Sequence, residues 1–158
     1  MDHEAPSPCL QQVGLKVMRI FAVVGLLIAF VPALAGCASE SGGDITGPTW
    51  HLISLTTNTP PRAAPVPEET RENYTITFND DGTFSAKADC NQVAGTYTIT
   101  GNAQISIAPG PSTLAACPEG SLGDAYVAAL GQAATFTTTS DQLTLTLADD
   151  GTLAFQAA

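Results

Sequence analysis

Leu143, Leu145 and Leu147 alternate with Thr144 and Thr146, the chain turns at Asp150-Gly151, and Leu153 and Phe155 alternate on the way back. An apolar period of two puts every large side chain on one face of an extended strand, and no helix can do the same. The pattern recurs upstream. Tyr74, Ile76 and Phe78 lead into Asp80-Asp81-Gly82, and Phe84, Ala86 and Ala88 return. A third hairpin runs over 95–100, turns at Gly101-Asn102 and returns through Ile105 and Ile107. Each Asp-Gly or Gly-Asn pair supplies the left-handed backbone that a tight hairpin needs. Thr fills most outward positions, as a solvated outer face favours. Residues 49–55 (TWHLISL) read as a first strand.

Two segments depart from this period. Residues 121–133 space Leu122, Tyr126, Leu130 and Ala133 three to four apart, which predicts one helix of about three turns. Ser121 with Asp124 fits a Ser-x-x-acid capping pattern at its start. Residues 56–73 hold Pro60, Pro61, Pro65 and Pro67 with Glu68, Glu69, Arg71 and Glu72, and read as a long surface loop. With 14 Gly, 11 Pro and only 6% aromatic residues, a turn-rich β domain fits better than a helix bundle. The expected fold is mostly β (α+β): a curved antiparallel sheet or incomplete β-barrel with one short helix packed on it.

The first part of the chain follows a different logic. Lys16 and Arg19 precede an apolar run over 20–31, Pro32 ends it, and Leu34-Ala35-Gly36-Cys37 follows. A positive start, an apolar stretch and a small-residue site describe an export signal. Residues 20–34 fall short of the ~20 that a membrane span needs. Leu, two small residues and Cys resemble the lipobox of bacterial lipoproteins. That resemblance implies a diacylglycerol on the Cys37 thiol and cleavage just before it. Residues 1–36 are then a signal peptide, with Met18 an alternative true start. Residues 37–48 form a lipidated flexible tether, small, polar and Gly-rich. Residues 49–158 form the domain. The expected location is outside the cytoplasm, anchored by lipid to the cell membrane or outer membrane and facing the periplasm or exterior.

Charge narrows the partners. The net charge is −10. Of five Lys and Arg, only Arg62, Arg71 and Lys87 lie beyond Cys37, and all acids but Asp2 and Glu4 lie there too. Nothing in that balance neutralises a run of phosphates, so nucleic acid is excluded as a partner. Anionic headgroups repel the same surface, so the domain is expected to stand off the membrane on its anchor, as a monomer.

Several short motifs fall in a fixed order: Gly47-x-x-Trp50-x-Leu52, Thr75-x-Thr77-Phe78 with Asp81-Gly82, Asp89-Cys90-Asn91, Gly95-x-Tyr97 and Thr113-x-x-Ala116-Cys117-Pro118. Leu143-x-Leu145 and Gly151-x-Leu153-x-Phe155 close the series. Over about 46–156 the chain resembles the META domain, the family of the HslJ heat-shock proteins and many bacterial lipoproteins. The family usually has Gly where Asp89 stands, and often Met where Ala115 stands. The resemblance implies a curved antiparallel sheet or incomplete barrel with one helix, an envelope location and a link to stress tolerance or secretion. It implies no enzyme activity and no agreed ligand.

Few residues are placed for chemistry. Cys90 and Cys117 are the cysteines left after Cys37 is lipidated, and in an exported protein such a pair is most simply a disulfide. Two buried free thiols, a metal pair or a nucleophile are the alternatives. A metal would need further ligands, and His51 is the one histidine beyond Cys37. If Trp50 is a core anchor, His51 points outward into solvent; otherwise Trp50 lines a ligand cavity. The paired acids Asp80-Asp81 and Asp149-Asp150 read as turn residues. No Gly-x-Ser-x-Gly, phosphate-loop or His-Glu-x-x-His motif occurs. The expectation is a non-enzymatic protein without cofactor or metal, binding an unknown protein or small ligand. An inhibitor of an extracellular hydrolase acting through 56–73, and a carrier of a small apolar ligand, are the other readings.

Overall fold

The computed structural model describes residues 43–158. The export signal and Cys37 lie outside the described residues. Nine strands follow in order: β1 (Thr49–Asn58), β2 (Pro61–Pro65), β3 (Tyr74–Phe78), β4 (Thr83–Ala88), β5 (Asn91–Thr100), β6 (Gln104–Ser112), β7 (Ala133–Thr138), β8 (Gln142–Leu147) and β9 (Thr152–Ala157). A 3-10 helix (Glu68–Asn73) precedes β3, and helix α1 (Gly123–Leu130) lies between β6 and β7.

The sheet is not open. β1 pairs antiparallel with β9 from Trp50 opposite Ala157 to Thr56 opposite Thr152. Its other side pairs with β3 over Thr49–His51. β1 and β3 to β9 therefore close on themselves as an eight-stranded barrel, correcting the expected curved sheet or incomplete barrel. The missing strand is β7. Its one large buried side chain is Phe136, so its sequence AATFTT shows no apolar period. The three hairpins and the first strand supply the other seven, and seven leave a gap that β7 fills. It joins β8 along its length and meets β6 at Gln104 opposite Thr135.

The region 56–73 is also ordered rather than looped. β1 continues to Asn58, and β2 folds back on it from Asn58 opposite Pro61 to Ser54 opposite Pro65. The prolines misled because they lack the N–H that a ladder uses. Val66 donates its N–H to the Ile53 carbonyl at 2.9 Å. Alternation then turns positions 62 and 64 towards β1, and 61, 63 and 65 towards solvent. Pro61 and Pro65 thus sit where no ladder bond is lost, on an edge they also protect from strand addition. β6 shows the same device. Ala103 accepts from Phe136 N–H at 2.8 Å, which aims odd positions such as Pro109 away from β5. Pro111 lies at the register shift between Pro109 and Ser112.

The interior is filled. Trp50, Phe78, Phe84, Phe136, Phe155 and Tyr126 are all buried within it. At the β3–β4 turn end, Ile45 is buried, Thr46 bridges to Phe78, and Trp50 Nε1 donates to the Ile45 carbonyl at 2.9 Å. The core therefore begins upstream of β1. α1 closes the other end. Tyr126 is fully buried, packs edge-on against Tyr74 and donates its hydroxyl to the Thr75 carbonyl at 3.2 Å.

The helix is shorter than the periodicity predicts, and Ala133 belongs to β7. Its N-cap is Leu122, not Ser121, with no side-chain cap. Ser121 Oγ instead accepts from Gly123 N–H at 3.1 Å, and Leu122 N–H donates to the Tyr74 hydroxyl at 3.1 Å. Gly123 lets the helix approach β4, since a Cβ there would stand 2.9 Å from the Ala88 carbonyl oxygen.

Phe136→Ala tests the role of β7. Truncating a fully buried aromatic in the strand that completes the barrel is expected to cost about 3–5 kcal/mol, measured by denaturant unfolding. A loss below ~1 kcal/mol would show that β7 adds little to closure.

Candidate functional site

The α1 end of the barrel carries the densest set of side-chain bonds outside the core. It starts at the turn between β4 and β5. Asp89 there has φ 60°, the left-handed region that Gly, Asn and Asp enter most readily. That geometry accounts for Gly at this position in the family and shows why Asp is accepted. The Asp89 N–H donates to the Asn73 carbonyl at 2.6 Å, tying the turn to the 3-10 helix.

Cys90 follows and is bonded to Cys117, with the two Cα atoms 5.5 Å apart. The disulfide holds the start of β5 against the irregular segment 113–122. Asn91 completes the brace. Its Oδ1 accepts from Ala115 N–H at 2.8 Å and Thr113 Oγ1 at 3.0 Å. Its Nδ2 donates to the Ala115 carbonyl at 3.2 Å and lies 3.4 Å from Cys117 Sγ. Thr113 N–H bonds the Gln92 carbonyl at 3.0 Å, and Gln92 N–H bonds Thr113 Oγ1 at 2.9 Å. Both neighbours of Leu114 are thus pinned, while Leu114 itself is 95% exposed. Shallow concavities of about 350 and 300 Å³ flank this segment. A third, about 400 Å³, lies between the β2 arm and residues 118–122.

The other candidates lie apart from this end. Trp50 is a core residue, fully buried, with its indole N–H bonded to the Ile45 carbonyl. His51 faces outward from the barrel and is half-buried. Among the described residues, no three of His, Cys, Asp and Glu gather in a metal-holding group. No described helix is long and apolar enough to cross a membrane. The acidic turns are built as turns. Asp81 Oδ1 accepts from Thr83 N–H at 2.9 Å and Thr83 Oγ1, holding the β3–β4 hairpin. Asp149 reaches further than its turn. Its Oδ2 accepts from Asn58 N–H and Thr59 N–H, each at 2.8 Å, and its Oδ1 accepts from Gly151 N–H at 2.9 Å. Asn58 Nδ2 returns a bond to the Asp149 carbonyl at 2.7 Å. One carboxylate therefore clamps the β1–β2 turn to the β8–β9 turn. Sequence reading missed this clamp and the Asn91 hub, although Asn directly after Cys90 was a visible signal for the second.

A closed antiparallel barrel with one sealing helix and a braced loop at that end defines the class. The chain belongs to the META domain family, whose model matches residues 43–158. Its fold is similar to the NMR structure of a protein from Burkholderia xenovorans, with TM-score 0.59 and 23% identity over 72% of this chain and 83% of that one. It is also similar to the crystal structure of a DUF4847 family protein from Bacteroides vulgatus. There the TM-score is 0.52 and the identity 19%, over 71% of this chain and 93% of that one. At these identities the likeness shows a shared fold. No curated protein matches the chain.

Two predictions follow from these bonds. Reducing the Cys90–Cys117 bridge is expected to remove about 2–4 kcal/mol of stability, seen as a lower melting temperature with reductant; an unchanged melting temperature would contradict the brace. The second concerns acid. Hydrogen bonds from Thr46 to Asp44, from Thr83 to Asp81 and from Asn58 to Asp149 hold all three carboxyls below the usual value of 3.8. The unfolded chain then binds protons that the native state refuses. Their stabilisation is complete above the unfolded value and is lost as pH falls through 3.8 towards the lower folded values. Asp149→Ala is expected to flatten that acid limb in melting curves taken across the window; an unchanged slope would remove Asp149 from the account.

Proposed function

We infer that this META domain protein is a lipid-anchored, non-enzymatic binding protein of the bacterial envelope. The observation that carries the reading is a barrel interior taken up by large side chains, with a braced, exposed loop outside. Large side chains occupy the interior from Ile45 at one end to Tyr126 at the other. A carrier needs the volume they take. An inhibitor acting through 56–73 needs a protruding segment, whereas β2 is paired with β1 and Val66 is buried. What remains to meet another molecule is the outer surface, and its one irregular, disulfide-held segment is at the α1 end.

The envelope location rests on the export signal ending in Leu34-Ala35-Gly36-Cys37 and on the family. Ile45 is in the core, so at most ~28 Å of extended chain separates it from Cys37. An acyl chain on Cys37 would hold the barrel within that reach of the bilayer.

Membrane fractionation of wild type and Cys37→Ser, with mass analysis of the mature N-terminus, tests the reading. Wild type is expected in the membrane fraction with diacylglycerol on Cys37, and the variant is expected to be released. A soluble wild-type protein without lipid on Cys37 would overturn it.

A further inference from the structure

We propose that the groove between α1 and the 113–117 segment is a docking surface for a basic amphipathic helix of another protein. The proposal rests on the binding-protein reading and names its surface and partner chemistry. Its first support is Leu114. Only two large apolar side chains among the described residues are exposed, Ile99 at 42% and Leu114 at 95%. A lone exposed leucine on a mobile loop would mean little. Leu114 instead sits between two residues held by Asn91, three positions before a disulfide. Its backbone is already ordered, so a partner packing on it loses little entropy to the loop.

The groove beside it is apolar and of side-chain scale. It measures about 350 Å³, and Ala88, Leu114, Val127 and Ala128 form its apolar walls. Asp124 is the one charged residue lining it, and it also lines the 300 Å³ concavity on the other side of the segment. No Lys or Arg lines either. The domain around them carries nearly all the acids of a chain of net charge −10. Such a field draws in a cationic partner and repels both anionic lipid and a second copy of the chain.

The prolines select the mode of docking. β6 leads into this groove, and a partner adding as a strand along its free edge would meet Pro109 and Pro111, which offer no N–H. Side-chain packing of a helix into the groove needs no such donors. Its apolar face would rest on Leu114, Val127 and Ala128, with Lys or Arg turned to Asp124.

The test is a ¹H–¹⁵N NMR titration of residues 37–158 carrying Cys37→Ser, a chain that contains the whole described barrel. The probe is a Lys/Leu amphipathic peptide of about four helical turns, beside a Glu/Leu peptide of the same pattern. The Lys/Leu peptide is expected to bind saturably, shifting amides over 112–116 and 123–128, while the Glu/Leu peptide is silent. Leu114→Ser is expected to weaken binding on the order of tenfold, the scale of a central anchor, without changing the melting temperature. Asp124→Asn, as a second variant, is expected to weaken binding and reduce its salt dependence. Equal binding by Leu114→Ser, shifts on another face, equal binding of the Glu/Leu peptide, or no binding would each overturn the proposal. So would phosphatidylglycerol vesicles that shift the same amides, since the occupant would then be a membrane. None of these outcomes depends on whether Cys37 carries lipid, so this proposal and the anchoring can fail separately.

Discussion

The ladder between β1 and β9 is the bond set on which the rest of the structure depends. It joins the first and last strands of the domain, from Trp50 opposite Ala157 to Thr56 opposite Thr152. In a sheet closed this way all the inward side chains share one interior. Closure creates its own requirement, because a barrel has two open ends. Ile45, with its carbonyl bonded to Trp50, covers one. Tyr126 on α1 covers the other. Neither the upstream segment nor the helix has a stable fold alone, since a helix of about two turns is marginal in water. Both are held by the barrel they seal.

The parts of the fold that were legible are those where one side-chain period governs. The hairpins at Asp81-Gly82, Gly101-Asn102 and Asp150-Gly151 appear as the alternation places them. β7 was not legible because only Phe136 points inward with any size, and one residue has no period. β2 was hidden for the opposite reason. Its Pro61 and Pro65 argue against a strand unless one knows which peptide groups face solvent, and only the pairing with β1 reveals that. Without β7 the barrel cannot close, and the expected open sheet or incomplete barrel lacked that strand. Cys90 and Cys117 were legible as a pair from compartment and number, while the Asn91 hub depends on three residues more than twenty positions away.

The carboxylates show how a strongly acidic chain can be stable. Asp44, Asp81 and Asp149 each accept bonds from local or crossing N–H and hydroxyl groups. These charges are set at turns, where backbone donors would otherwise be left to water. Asp149 does more than close its own turn, because it joins two hairpin ends ninety residues apart in sequence. The mutual repulsion of a −10 surface is offset in part by using its members as backbone acceptors.

The two ends of the barrel differ in what their side chains are bonded to. At the Ile45 end the polar bonds run inward and along the chain: indole to carbonyl, Thr46 to Asp44, and the Tyr97 hydroxyl to the Asn79 carbonyl. They hold the entry of the chain against the barrel. At the α1 end a disulfide and both polar atoms of one asparagine side chain fix a loop whose apolar residue, Leu114, stays exposed. Tyr126, Ala129 and Leu130 bury the helix against the core, and the disulfide adds a covalent tie to the loop that leads into it. Its effect falls on the loop. Ordering an exposed segment raises no interior contact, but it lowers the entropy lost when something else packs on that segment. The two ends therefore differ in what their polar bonds order: the entry of the chain at one, an exposed loop at the other.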